Sequence, residues 1–148
     1  MTAFEGWGAV ADGLRAMART KTKHLNEGQQ ASLRVLADRL PTNGMILADE
    51  VGMGKTRIAV ALIRAVAEAG GRTAVLVPPG LGYQWGEELR EGKKRLGGEE
   101  LRGGGLPDLP PIVRSLEGYL SAWDDERPWF SQPVVLLSHA FANWRFGA

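Results

Sequence analysis

The chain has 148 residues, of which 44% are hydrophobic and 24% charged, with a formal net charge of +1. That suffices for one globular domain with its own core, and near-neutrality excludes a generally basic nucleic-acid-binding surface, so any such contact is local. The absence of cysteine excludes disulfides and thiolate metal sites and fits a reducing compartment.

Phe4, Trp7, Val10, Leu14 and Met17 fall at helical spacing and predict an amphipathic helix packed on the main domain. The polar, basic "RTKTK" at 19–23 breaks it and ends an N-terminal unit, 1–23, ahead of the main unit, 24–148. "EGQQASLRVLADRL" places Leu33, Leu36 and Leu40 on one face of a second helix, ended by Pro41 and Asn43-Gly44. "GMILAD" at 44–49 is short and apolar and suits a buried strand. "KTRIAVALIRAVAEAG" is alanine-rich and predicts a helix closed by Gly70-Gly71. "RTAVLVPP" predicts a second buried strand, stopped by Pro78 and Pro79. "LGYQWGEELREGKKRL" predicts a helix that Gly86 and Gly92 weaken. Residues 97–111 are rich in glycine and proline and predict a loop or insertion. Residues 112–133 suit a short strand or a helix, and "PVVLLSH" predicts a third buried strand. Strands alternating with helices imply an α/β fold, a parallel sheet with helices on both faces.

No apolar run approaches the roughly 18 residues of a membrane-spanning helix. The N-terminus also lacks the apolar core of a signal peptide. The expected location is therefore cytoplasmic, with no membrane partner. His24 and His139 are the two imidazoles, and their separation suits no local metal motif.

The stretch at 49–56 reads Asp49, Glu50, Val51, Gly52, Met53, Gly54, Lys55, Thr56. It follows the phosphate-loop pattern except that Asp49 replaces the first glycine. The chemistry survives that change. Gly52 and Gly54 can take positive φ and turn backbone N–H groups inward as an anion nest. The next helix offers its positive N-terminal end. Lys55 can reach the β- and γ-phosphates of ATP, and the Thr56 hydroxyl can ligate Mg²⁺.

"ILADEVGMGKT" resembles motif I of superfamily-two helicases, in the Swi/Snf-like branch of DNA translocases, where an aspartate stands in place of the first glycine. Two further segments match in order. "HLNEGQQASLRVL" resembles the segment that carries a glutamine for adenine recognition. An amide suits that task because it offers a donor and an acceptor together. The resemblance points to Gln29, with Gln30 as the alternative, and Gly28 stands where the family has an aromatic residue. "AVLVPPGLGYQWGEEL" resembles motif Ia, which lies along the nucleic-acid backbone, so Pro78, Pro79 and Gln84 are expected at that contact. Trp85 suits either core or contact. "PVVLLSHAFAN" resembles the strand and turn around motif Ib and adds Ser138 to the expected nucleic-acid contacts, with His139 beside it.

The resemblance spans about residues 24–145 and implies the first part of a RecA-like lobe. It implies ATP and Mg²⁺ as ligands, and double-stranded DNA as a partner through a parent protein. Hydrolysis in such motors needs Walker-B acids and an arginine finger, the finger alone contributing about 10³ to 10⁵ in rate. Asp124-Asp125-Glu126 lies in "SAWDDERPW", without an apolar strand before it, and reads as a solvated turn. The expectation is an incomplete lobe of a larger motor that binds ATP and does not hydrolyse it alone, with the remainder of the motor, as a separate chain, among its candidate partners. The alternative is a stand-alone nucleotide-binding or interaction module without catalysis.

Overall fold

A computed structural model describes residues 3–20, 24–48, 54–78, 80–95, 112–113 and 131–139, with the backbone alone for 93–95 and 112–113. Three helices come first: α1 (Trp7–Arg19), α2 (Glu27–Arg39) and α3 (Lys55–Glu68). Their apolar residues recur at three- and four-residue intervals, which puts them on single faces. Val10, Leu14 and Ala18 of α1, Leu33, Leu36 and Ala37 of α2, and Ile58, Ala61 and Ala65 of α3 close one cluster. Burying a side chain such as Leu14 or Leu33, both fully buried, stabilises by about 1.5–3 kcal/mol. The solvent-screened ion pair Arg15–Asp38, 2.9 Å long between α1 and α2, adds little beside that. Packing, not charge, holds this layer.

The face expected on the first helix is largely the buried one. Val10 and Leu14 are its centre, and Met17 packs at its margin. Phe4 precedes the helix and Trp7 opens it; both are exposed by more than two-fifths and meet edge to face at 5.7 Å. The helix shares one core with α2 and α3. At the start of α2, Asn26 Oδ1 accepts from Gln29 N at 2.8 Å, and Gln29 Oε1 accepts from Asn26 N at 2.9 Å. This reciprocal capping box satisfies two amides that a bare helix end would leave unpaired.

The sheet is parallel, with β1 (Thr73–Val77), β2 (Ile112–Val113) and β3 (Val134–Ser138) in the order β1-β3-β2. Thr73 aligns with Val134, Val77 with Ser138, and Ile112 with Leu136. Helix α4 (Gly82–Arg95) follows β1. Side chains alternate across a strand, so Val75, Val134 and Leu136 share a face. Val60 and Ile63 of α3 and Leu89 and Trp85 of α4 pack with them in a second cluster. Helix α3 therefore lies between the helical layer and the sheet and serves both cores. Trp85, left open between core and contact, packs against this second core.

The molecule is thus a mixed α/β protein with a parallel sheet. One expectation needs correction. Residues 44–48 form no strand. They keep an alternation, with Met45 and Leu47 packed on the helical core while Ile46 is 89% exposed. The residues have strand composition, but among the described residues no strand pairs with them, and a strand exists only through its partners. The helices were expected on both faces of the sheet. Among the described residues α3 and α4 both cover the Val75 face; on the other face Leu76 is 59% exposed and Val135 5% exposed. The ambiguous stretch 112–133 opens with β2; the loop at 97–111 and the turn at 124–126 lie outside the described residues. Among the described residues no helix is long and apolar enough to cross a membrane.

Candidate functional site

The site builds from the start of α3. Its N-cap is Gly54, at φ 80° and ψ 27°. That left-handed conformation penalises any residue with a Cβ, and glycine adopts it freely. Gly54 O accepts from Arg57 N at 3.0 Å and Ile58 N at 3.4 Å, so the helix's own bonding begins there. No acidic residue stands in the first turn, and no side chain caps it. The partial positive charge of the helix end therefore faces the loop side without a carboxylate of that turn to offset it. Lys55 and Thr56 are the first two helical residues, both half-buried.

Gln29 reaches this point from α2. It is 5% exposed. Its Nε2 donates to Gly54 O at 3.4 Å. The amide orientation follows from Asn26, whose N–H needs an acceptor; Oε1 supplies it, which leaves Nε2 to face the Gly54 carbonyl. A Cβ on Gly54 would collide with Gln29 Nε2, so the close approach also requires glycine. Each end of the amide retains capacity, one N–H and one lone pair, beyond these two bonds. Gln30, the alternative to Gln29, turns away and donates to Thr20 O at 3.2 Å. A second tie runs from Arg57 Nη1 to His24 O at 3.3 Å. Together these bonds fasten the first turn of α2 and the segment before it to the start of α3.

The fold thus brings Gln29, Gly54, Lys55 and Thr56 to one place. Asp49, Glu50, Val51, Gly52 and Met53 lie outside the described residues, as does Pro79. Pro78 and Gln84 are exposed, Pro78 just past β1 and Gln84 in the first turn of α4. Ser138 is 5% exposed, beside Val77 at the end of β3, and presents little surface; His139 after it is exposed. Ser138 and Pro78 share the C-terminal end of the sheet, where α/β sheets carry ligands.

One feature of the site was missed from sequence. A groove opens between the segment before α2, the first turns of α3, and α4. His24, Leu25, Arg57, Val60, Glu88, Glu91 and Gly92 line it, and it encloses about 330 Å³ with its open mouth. Leu25 and Val60 form an apolar floor, 5% and 2% exposed. The rim is charged, with Arg57 on α3 and the two carboxylates on α4. A Cβ on Gly92 would collide with Val60 Cγ1, so glycine there lets α4 approach α3. Gly92 inside a helical pattern was the available signal, since such a glycine often marks close packing. Comparison with models of protein families, with curated proteins and with solved structures found no match.

Proposed function

We propose that this chain binds ATP with Mg²⁺ as the nucleotide-holding part of a helicase-like, ATP-driven DNA translocase of the Swi/Snf-like branch. The single observation that carries the reading is the Gln29–Gly54 hydrogen bond. It joins two elements, 25 residues apart, that the resemblance expects at one nucleotide. In this reading the fold is a RecA-like P-loop lobe. The loop at 49–54 and the start of α3 hold the phosphates, with Lys55 on the β- and γ-phosphates. Thr56 ligates Mg²⁺ jointly with phosphate oxygens, the usual way magnesium is held beside a nucleotide. Gln29 uses its remaining N–H and lone pair on adenine. Pro78, Pro79, Gln84 and Ser138 lie toward the path of double-stranded DNA in the assembled motor.

Hydrolysis is assigned to groups beyond those recognised in these 148 residues, so the chain holds ATP and a further chain or segment supplies the acids and the arginine finger. The test is a titration with ATP–Mg²⁺ of the native protein and of Lys55→Ala, run with an ATPase assay. The expected result is saturable binding, lost or weakened about tenfold or more in the variant, and hydrolysis near background. Equal binding by both proteins removes the phosphate-loop assignment. Hydrolysis well above background that depends on Lys55 removes the division between holding and using the nucleotide.

A further inference from the structure

The two faces of the sheet are covered unequally. Helices α3 and α4 pack on the face of Val75, Val134 and Leu136. The other face carries Ala74 and Leu76 of β1 and Val135 and Leu137 of β3. Leu76 is 59% exposed, whereas Val135 is 5% exposed, although among the described residues it belongs to neither core cluster. Side chains stand nearly perpendicular to a sheet, so strand neighbours flank Val135 and do not roof it. A further segment roofs it and stops short of Leu76.

Chain handedness identifies that segment. The strand order is β1-β3-β2, and the strands run parallel. Crossovers between parallel strands are right-handed almost without exception. From β1 to β2 the chain moves across the sheet one way, with α4 on the Val75 face. From β2 to β3 it moves back the other way. The same hand with the direction reversed puts this second crossover on the opposite face, over β2 and β3. We propose that residues 114–123 form the helix of that crossover and pack on Val135 and Leu137, with Leu76 left at the margin.

Residues 114–130 lie outside the described residues, and their sequence suits the task. Leu116, Tyr119, Leu120 and Trp123 fall at i, i+3, i+4 and i+7, one face of a helix, with Gly118 and Ser121 opposite. Ten helical residues rise about 15 Å, and a five-residue strand spans about 16 Å. The helix therefore carries the chain from the C-terminal end of β2 back to the end where β3 begins. One turn, Leu116 to Leu120, rises about 6 Å, which matches the step of about 7 Å from Leu137 to Val135. Asp124, Asp125 and Glu126 follow the helix directly, at the end of the sheet where the strands begin. The start of α3 lies at the other end, because α3 must run against β1 for residues 69–72 to join them. A carboxylate ligates Mg²⁺ at about 2 Å, so acids a strand length away take no part in a metal–phosphate site there. Only this consequence rests on the nucleotide reading.

The chain has no cysteine, so one introduced cysteine gives a unique point for a nitroxide spin label. Leu76→Cys puts the label on the Val135 face, and Tyr83→Cys puts it on α4. Both side chains are exposed, so neither label replaces a buried contact. In nuclear magnetic resonance spectra of the full chain, the amides of 116–123 should lose intensity with the label at 76 and keep more of it with the label at 83. A mixture of isotope-labelled native protein with spin-labelled Leu76→Cys protein of natural isotopes should show no such loss, since the contact lies within one chain. Greater loss from 83 than from 76, or no loss from either, overturns the placement. Loss in the mixture gives the face to a second copy and overturns it as well. The labels need no nucleotide, so the outcome is separate from that of the ATP titration.

Discussion

The helical layer and the sheet are built from equally apolar residues, yet they are specified differently. In α1, α2 and α3 each buried face is written in the local spacing, and the three faces close on one another in a single cluster. In β1 and β3 the apolar residues meet partners some 60 positions away, Val75 against Leu136 and Leu76 against Leu137. The segment at 44–48 shows the consequence. It has the composition of a buried strand and one side packed on the helices, but among the described residues no strand pairs with it, and Ile46 is 89% exposed. Helical structure needs a face to bury; strand structure needs a neighbour as well.

The largest expected effects test whether both cores carry stability. Leu33→Ala in the helical layer and Leu136→Ala in the sheet remove fully buried side chains. Each should cost about 2–5 kcal/mol in urea unfolding. A loss below about 1 kcal/mol for Leu136→Ala would mean that the sheet adds little to the folded unit. Next comes the point where α2 meets α3. Gly54→Ala places a Cβ in a left-handed conformation, penalised by about 1–2 kcal/mol, and drives it into Gln29. The same unfolding measurement should show at least that loss.

Asn26→Ala removes one half of the capping box and should cost about 1 kcal/mol. The backbone N–H at position 26 still donates to Gln29 Oε1, so the glutamine that reaches Gly54 keeps that tie. The smallest effect is expected for Ile46→Lys. An exposed side chain away from special features changes stability by no more than about 0.5 kcal/mol. A loss of several kcal/mol would show that residues 44–48 are a buried strand after all, and the contrast between the two regions would collapse.

The same contrast explains what was legible in the sequence. The helices were readable because Leu14 or Leu33 finds its place through residues three and four positions away. The strands at 73–77 and 134–138 were readable as apolar runs, though their adjacency was not. The meeting of Gln29 with Gly54 was not legible, since nothing local links positions 29 and 54; the resemblance gave the two residues separate roles. The groove was not legible because it forms where α4 crosses α3, a contact set by Gly92 against Val60. Gly92 had counted as a weakness in the helix. In the structure its missing side chain is what lets the two helices approach.

The most direct test of the central claim uses stability itself. A ligand that binds the folded state alone stabilises it by about 2.7 kcal/mol at one hundred times its dissociation constant. For a chain of this size that raises the melting temperature by several degrees. Thermal unfolding with and without saturating ATP–Mg²⁺ should show that rise in the native protein and a clearly smaller one, or none, in Lys55→Ala. An equal rise in both, or none in either, would contradict a phosphate site at the start of α3.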